Sequence, residues 1–386
     1  MGELAVRDRT APGIGRIVLP GAAMIAITFG LARYGYGLLL PDMQAELRIG
    51  ADTAGLISSG AYLSYLAANF LVVWLTVRLG PRWAVGAAAG LAATGMTLVA
   101  VADGVLLLAT GVVVAGAAAG LAFPPYADVV DAEVPRARRA LAWSTISSGS
   151  GWGVALAGPI AVVAGQSWRV AWLVFVALSV GVGFLAVRRL PSRGAVTSHP
   201  VRLSWSWFVC PRSGPLLGSA VLTGLGSSVW WAFSVDAMRE AGISPTSARI
   251  VYAVCGAASL LASLSGNVFH RLGLRTGYLI SVALLAAALL LLGVGTARPL
   301  VVVIAAVLFG ASYAATVAAH GLWSSGVFAE RPSAGLAAIN TALTIGTVIG
   351  PVTAGALLDS AGYPLVLIAA AACCAMGVTC APPRGR

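Results

Sequence analysis

Arg78-Leu79-Gly80-Pro81-Arg82 returns as Arg271-Leu272-Gly273-Leu274-Arg275, 193 positions later in a chain of 386 residues. Two further landmarks keep nearly that offset. Asp42 and Glu46 recur as Asp236 and Glu240, 194 positions on, and Gly158-Pro159 recurs as Gly350-Pro351, 192 on. Such agreement describes a chain duplicated in parallel. Parallel repeats of this size suit a membrane carrier in which one half rocks against the other around a central site.

Composition agrees with the membrane. Hydrophobic residues make up 59% of the chain and charged ones 10%, too little polar surface to face water on every side. A span needs about 20 apolar helical residues, and twelve such runs are present: Ile17 to Leu40, Ala54 to Val77, Trp83 to Ala102, Val105 to Tyr126, Ala140 to Ala164, Trp168 to Val187, Leu216 to Val235, Ser247 to Val268, Thr276 to Gly295, Leu300 to Trp323, Ser333 to Leu358 and Pro364 to Thr379. The runs are too long and too uniformly apolar for barrel strands. The expected fold is all-α and polytopic, two six-helix bundles in a pseudo-twofold arrangement. Its parts are a cytoplasmic tail over 1–16, a first bundle over 17–187, a central linker over 188–215, a second bundle over 216–380 and a short tail over 381–386. The linker carries Trp205 and Trp207, which with Trp83, Trp168 and Trp323 are assigned to the aromatic belt at the membrane interfaces.

Orientation follows from arginine, because the chain has no lysine. With the amino terminus cytoplasmic, eighteen arginines fall in inner segments and five in outer loops, Arg48, Arg169, Arg239, Arg249 and Arg298. The positive-inside rule then puts both termini in the cytoplasm, as in a plasma-membrane protein. The net charge of +11 reads as a topology signal and a contact with anionic inner-leaflet lipid. The arginines are dispersed over short loops and form no nucleic-acid stripe. No cleavable signal is expected ahead of the first span. The five cysteines, Cys210, Cys255, Cys373, Cys374 and Cys380, lack metal spacing and read as free buried thiols. Neither cofactor nor metal is expected, and the chain is read as a monomer.

Over its whole length the chain resembles the major facilitator superfamily: six plus six spans, a longer central loop, and a basic Gly-containing loop after the second span repeated after the eighth. The family's loop reads roughly Gly-x-x-x-Asp-Arg-x-Gly-x-Arg. The copy from Gly266 to Arg275 keeps every element except the acid, replaced by His270; the first copy has Val73 and Val77 where glycine and aspartate belong. The resemblance implies gating roles for Arg78, Gly80, Arg82, His270, Arg271, Gly273 and Arg275, with the loop's usual acidic latch missing twice. Glycine at 80 and 273 permits a tight turn, and the arginines can reach helix ends or phosphate headgroups.

The stretch Gly30-Leu31-Ala32-Arg33-Tyr34-Gly35-Tyr36, followed by Leu39-Leu40-Pro41, resembles the first helix of the bacterial YbfB/YjiJ-like branch. Arg33 is the one charge without a place at a membrane end. An arginine there costs about 2.5–3.5 kcal/mol on insertion scales and usually faces a cavity or a partner. One reading has Arg33 snorkelling to headgroups or pairing with a structural carboxylate, Asp42 being about 13 Å along the helix at 1.5 Å per residue. The sharper one has it hold an anionic or acceptor-rich solute group, flanked by Tyr34 and Tyr36. Further path-lining candidates are Tyr62, Tyr65 and Asn69, Ser144, Thr145 and Ser148, Ser227, Ser228, Trp230 and Trp231, and Asn340, Thr341 and Thr344; the same side chains could serve as interhelical glue. Asp128 and His320 are the candidates for proton coupling, each expected in a partly buried site. Gly346-Thr347-Val348-Ile349-Gly350-Pro351 in the eleventh span, with Gly149, Gly153, Gly158 and Pro159 in the fifth, resembles the family's antiporter motif Gly-x-x-x-Gly-Pro, with the spacing kept only in the eleventh span although the motif belongs to the fifth. Gly350 and Pro351 are accordingly gating candidates, though helix packing explains the glycines as well.

Enzyme chemistry finds no footing. Without lysine there is no P-loop or Schiff-base residue, and neither a His-Glu-x-x-His nor a serine elbow occurs. The expectation is a secondary active transporter of a small organic solute working by rocking of two halves, foremost as a proton-coupled exporter (an antiporter). The alternatives are an organic-anion uptake symporter or facilitator and, from another class, a transport-inactive receptor or scaffold on the same fold.

Overall fold

A computed structural model describes residues 15–190 and 212–383. The two tails over 1–14 and 384–386, and most of the linker with Trp205, Trp207 and Cys210, lie outside the described residues. In a bilayer each backbone N–H and C=O must be satisfied within the segment. The described residues accordingly form helices joined by very short turns: α1 Gly15–Leu47, α2 Ala51–Leu79, α3 Pro81–Ala100, α4 Val105–Glu133, α5 Arg136–Val163, α6 Trp168–Arg189, α7 Ser213–Glu240, α8 Pro245–Leu272, α9 Leu274–Gly295 and α10 Pro299–Val327. A final run, Pro332–Met376, is broken at Gly362, whose φ of 72° and ψ of 165° no helix accommodates. It therefore folds back as α11 (332–361) and α12 (363–376), which completes the expected twelve.

The repeated loops behave as duplicates in space. Gly80 and Gly273 have φ of 89° and 78° with ψ of 165° and 153°. Only glycine enters that region freely, so both helix pairs turn over one residue. Close approach between helices rests on missing side chains. A Cβ at Gly30 would sit 2.3 Å from Gly153 Cα between α1 and α5, and one at Gly224 would sit 2.0 Å from Leu343 O between α7 and α11. In lipid such small-residue contacts give the packing that the hydrophobic effect cannot supply.

The core is shared on one side of the molecule and divided on the other. One buried cluster joins both halves, with Leu38, Ile57, Val154 and Trp172 meeting Trp230, Tyr252, Phe309 and Leu358. A second contains only first-half residues, among them Val85, Tyr126 and Ile146; a third only second-half residues, among them Tyr278, Trp323 and Ile339. The shared cluster lies toward the ends where α1 meets α2 and α7 meets α8, here called the far face. The divided clusters lie toward the Gly80 and Gly273 turns, the basic face. The halves are thus closed on the far face and parted on the basic face.

Two of the belt tryptophans are placed differently from expectation. Trp83 is exposed, as a belt residue would be, but Trp168 and Trp323 are buried. Trp168 donates its indole N–H to Glu46 at 2.6 Å, and Trp323 packs edge-on against Tyr278. Each is held inside by an interaction that helix periodicity alone does not display.

Candidate functional site

Halfway along α1 the α-helix gives way to a π-helix, Ala26–Arg33, before helical geometry resumes at Gly35. Such wide turns are rare and concentrate at functional sites. Arg33 closes this turn. Its guanidinium carbon stands 4.1 Å from the ring centre of Tyr65, 4.6 Å from Tyr62, 5.5 Å from Phe29 and 5.7 Å from Tyr34. Aromatic faces attract a cation through their quadrupole, and here they surround it. The side chain therefore points into the bundle. Its Nε is buried without a hydrogen-bond partner. Pairing with Asp42 does not occur, because that carboxylate is taken by Arg239 at 3.1 Å and Arg249 at 2.8 Å.

The second half supplies the opposite wall. Tyr34 stacks on Trp231 with centroids 4.2 Å apart and planes 28° from parallel. Trp231 meets Phe309 and Tyr313 edge-on at 5.4 and 5.8 Å. Tyr65 donates its hydroxyl to Asn340 Oδ1 at 3.0 Å across 275 positions of sequence, and Tyr252 donates to the Tyr34 carbonyl at 2.9 Å. Arg33 thus sits in an aromatic enclosure built from α1, α2, α7, α8 and α10, where the two halves meet.

Of the residues expected from sequence, Arg33, Tyr34, Tyr62, Tyr65, Trp231 and Asn340 come together. The others make contacts of their own. Tyr36 is buried with its hydroxyl on the Ala54 carbonyl at 3.2 Å, so it ties α1 to α2 on the far face. Asn69 donates to the Tyr65 carbonyl of its own helix at 3.0 Å, and Thr344 donates to the Asn340 carbonyl at 2.6 Å. Trp230 is fully buried and stacks on Phe309 at 4.3 Å, on the packed side of the enclosure, as neighbours about 100° apart on a helix require. Ser148, Ser227 and Ser228 bond to carbonyls of their own helices.

Asp128 lies near the basic face, exposed as a residue but with its carboxyl partly desolvated, in keeping with a partly buried site. His320, also expected to be only partly buried, is fully buried instead. Its Nε2 lies 2.7 Å from Ser219 Oγ; Ser219 in turn contacts the Tyr278 hydroxyl at 2.5 Å, and Tyr278 donates to the Gly377 carbonyl at 2.7 Å. His320 Nδ1 has no partner. This chain ties α7, α9 and α10 to the end of α12, away from Arg33. Arg78, His270 and Arg271 are exposed at the basic face and Arg82 and Arg275 half-buried there; Arg78 lies over Trp74 at 4.8 Å, and Arg275 donates to the Pro382 carbonyl. Gly350 packs against α7, where a Cβ would meet Ser228 Oγ at 2.1 Å, while the Pro351 carbonyl faces Gly55 of the first half.

Sequence reasoning missed Arg249, assigned only to an outer loop. It is 3% exposed and donates to the Ala161 and Gly165 carbonyls at 2.9 and 2.7 Å besides Asp42. Phe29 and Tyr313 were missed too. Phe29 carried a signal, since it precedes Arg33 by four positions and so shares its helix face. Tyr313 carried none, being one aromatic in an apolar run.

A family model described as Major Facilitator Superfamily matches residues 22–213 and 216–383. The chain belongs to that superfamily, and its architecture is that of a transporter rather than an enzyme. An uncharacterized MFS-type transporter of Mycobacterium tuberculosis is 30% identical over 173 residues, which is 43% of this chain and 28% of that protein; the chain thus matches little more than a quarter of that relative's length. Among solved structures, a mutant form of the nucleoside transporter NupG superposes with a TM-score of 0.80 at 13% identity, over 94% of this chain and 98% of that one. A D-xylose-proton symporter gives 0.74 at 14% identity, over 94% and 97%. A bacterial homolog of the human lysosomal transporter Spinster, inward-facing and unoccupied, gives 0.69 at 15%, over 95% and 92%. These likenesses are likenesses of fold.

Proposed function

We propose that the protein is a secondary transporter that moves a small organic solute by alternating access, with Arg33 at its centre. The observation that carries this reading is the divided core: one apolar cluster common to both halves on the far face and separate clusters on the basic face, with a charged side chain enclosed where they diverge. A rigid scaffold or receptor gains nothing from such a division, whereas a rocking carrier requires it. The arginine asymmetry puts the basic face in the cytoplasm, so the described state opens inward, the state named for the Spinster homolog. Exposed arginines on that face, among them Arg78 and Arg271, suit anionic lipid headgroups.

Of the two modes read from sequence, movement of an organic anion has the better support. The ion pairs among the described residues, Arg139–Asp131, Arg169–Glu46, Arg239–Asp42 and Arg249–Asp42, leave Arg33 without an acid. Proton-coupled export by antiport is the second mode, favoured by the buried His320 with its unpartnered Nδ1. The glycines resembling an antiporter motif support it less, since they already serve helix contact. The first-helix pattern ending in Arg33 supports membership of the YbfB/YjiJ-like branch.

Counterflow in proteoliposomes tests the transporter reading. Preloaded solute should drive uptake of labelled solute in the wild type and not in Arg33→Gln. Folded wild-type protein that binds a solute and never moves it would return the receptor reading. His320→Ala with an unchanged pH dependence of flux would remove proton coupling through that residue.

A further inference from the structure

The enclosure around Arg33 has a composition that selects among solutes. Its flat cationic face is already occupied: Tyr65 and Tyr62 lie against the guanidinium at 4.1 and 4.6 Å. Cation–π contact satisfies the charge and gives no hydrogen-bond acceptor to the N–H donor at Nε. That Nε–H is buried and unsatisfied, and the residue as a whole is largely buried. A buried donor without an acceptor is unfavourable and is relieved when one arrives. The acceptor whose geometry matches two adjacent in-plane guanidinium donors is a carboxylate, taken bidentately.

Charge limits the solute further. Arg33 carries one positive charge, and it belongs to none of the ion pairs found among the described residues. A monoanion balances it. A phosphate dianion would bring a second charge into the bundle with nothing opposite it. Shape then comes from the walls. The stack of Tyr34 on Trp231 and the edge contacts of Trp231 with Tyr313 and Phe309 join flat aromatic side chains of both halves, beside the Tyr65–Asn340 hydrogen bond. Rings prefer to stack on or meet edge-on such surfaces at 4.5–7 Å.

We infer that the solute class is a flat aromatic monocarboxylate, its carboxylate on the Arg33 guanidinium and its ring against the aromatic side chains that surround it, where it would part the Tyr34–Trp231 stack. This rests on the transporter reading above and sharpens it. The loaded site is electrically neutral and the empty one carries a positive charge. Contact with both halves at once makes binding sensitive to how far apart they stand.

Thermal unfolding of the full-length protein in detergent tests the class without requiring flux. The probes are benzoate, 2-naphthoate and indole-3-carboxylate, each against its carboxamide, with benzylammonium as the cation. The carboxylates should raise the melting temperature, 2-naphthoate at the lowest concentration, with the amides and the cation at least about tenfold weaker. Arg33→Gln should abolish the carboxylate response, and Arg33→Lys, which keeps the charge but loses the fork, should weaken it. Should Arg33→Gln fail to fold, Trp231→Leu serves instead, weakening the naphthoate response more than the benzoate response. Amides or the cation stabilising as strongly as the acids would overturn the inference. So would an undiminished response in folded Arg33→Gln, or no response to any carboxylate. The two readings fail separately: flux of a neutral or cationic solute with no carboxylate response sinks the class alone, and carboxylate binding without counterflow sinks the transporter.

Discussion

The far face is closed by two seams that the duplication makes counterparts, and they are built from different chemistry. In one, Asp42 at the end of α1 receives Arg249 of α8, which also donates to the Ala161 and Gly165 carbonyls at the end of α5. The repeat offset of 194 carries Asp42 to Asp236 and Arg249 back to Gly55. Among the described residues no arginine pairs with Asp236 there. Gly55 of α2 lies so close to α11 that a Cβ would stand 2.2 Å from the Pro351 carbonyl, and Asp236 instead accepts a hydrogen bond from Tyr363 within its own half. The pairing of Glu46 with Trp168 and Arg169 fills a similar role within the first half. Charge holds one seam and bare backbone contact holds the other. Duplicated backbones thus need not keep duplicated interactions. A charged seam can be exchanged for water when the halves rock, whereas a seam of close-packed glycine depends on the absence of a side chain.

The largest break in this comparison is expected from Asp42→Asn. It leaves Arg249, which is 3% exposed, with carbonyl partners only, and orphaning a buried ion-pair partner costs about 3 kcal/mol or more. The far face should open: a cysteine at Val251, buried in the shared cluster, should become reactive to a maleimide added from the far side in a cysteine-free background. Unchanged labelling would show that the salt bridge does not hold the seam. Next comes Gly55→Ala, where overpacking of a close contact costs about 1–3 kcal/mol. It should also expose Val251→Cys, but, unlike Asp42→Asn, with no dependence on salt concentration. Equal salt dependence in the two variants would erase the distinction between the seams.

Replacing both partners sharpens the point. Asp42→Leu with Arg249→Met removes the charges together, and apolar substitutes for a buried pair are often neutral or stabilising by about 1–4 kcal/mol. The double variant should melt no lower than the wild type and lose the alternation between open and closed far faces, read as Val251→Cys labelling that no solute changes. Melting as low as Asp42→Asn would instead mean that the packing, rather than the orphaned charge, governs. The smallest effect is expected from Arg239→Gln. This arginine shares Asp42 but is 28% exposed on its side chain, where ion pairs contribute about 0.2–1 kcal/mol, so labelling should shift little.

Much of the architecture was legible in residues 15–190 and 212–383 before any coordinates. Twelve apolar runs, the one-residue turns at Gly80 and Gly273, and the singular Arg33 follow from hydropathy and residue type. The eleventh and twelfth spans merge into one helical run in the chain, yet Gly362 separates them as the sequence spacing implied. The site was half legible. Arg33, Tyr34, Tyr62 and Trp231 were recognisable as polar or aromatic groups out of place, but Tyr36 and Trp230 share those marks and tie or pack helices, while Asn69 and Thr344 bond to carbonyls of their own helices. Side-chain direction decided among them, and the π-helical turn before Arg33 shifts that direction by a residue from what a regular helix would give.

The sequence by itself determined that this chain is a duplicated, twelve-span membrane protein of the major facilitator type with an unmatched arginine inside its first span. Those properties are local: they depend on how apolar a stretch is, on how long it runs and on which residue interrupts it. Only the tertiary structure decided that Asp42 meets Arg249 across 207 positions and Tyr65 meets Asn340 across 275, that the core is shared on one face and divided on the other, and that aromatic rings rather than an acid surround Arg33. Those depend on where helices distant in the chain cross, which is set by the glycine contacts between them and not by the composition of either helix.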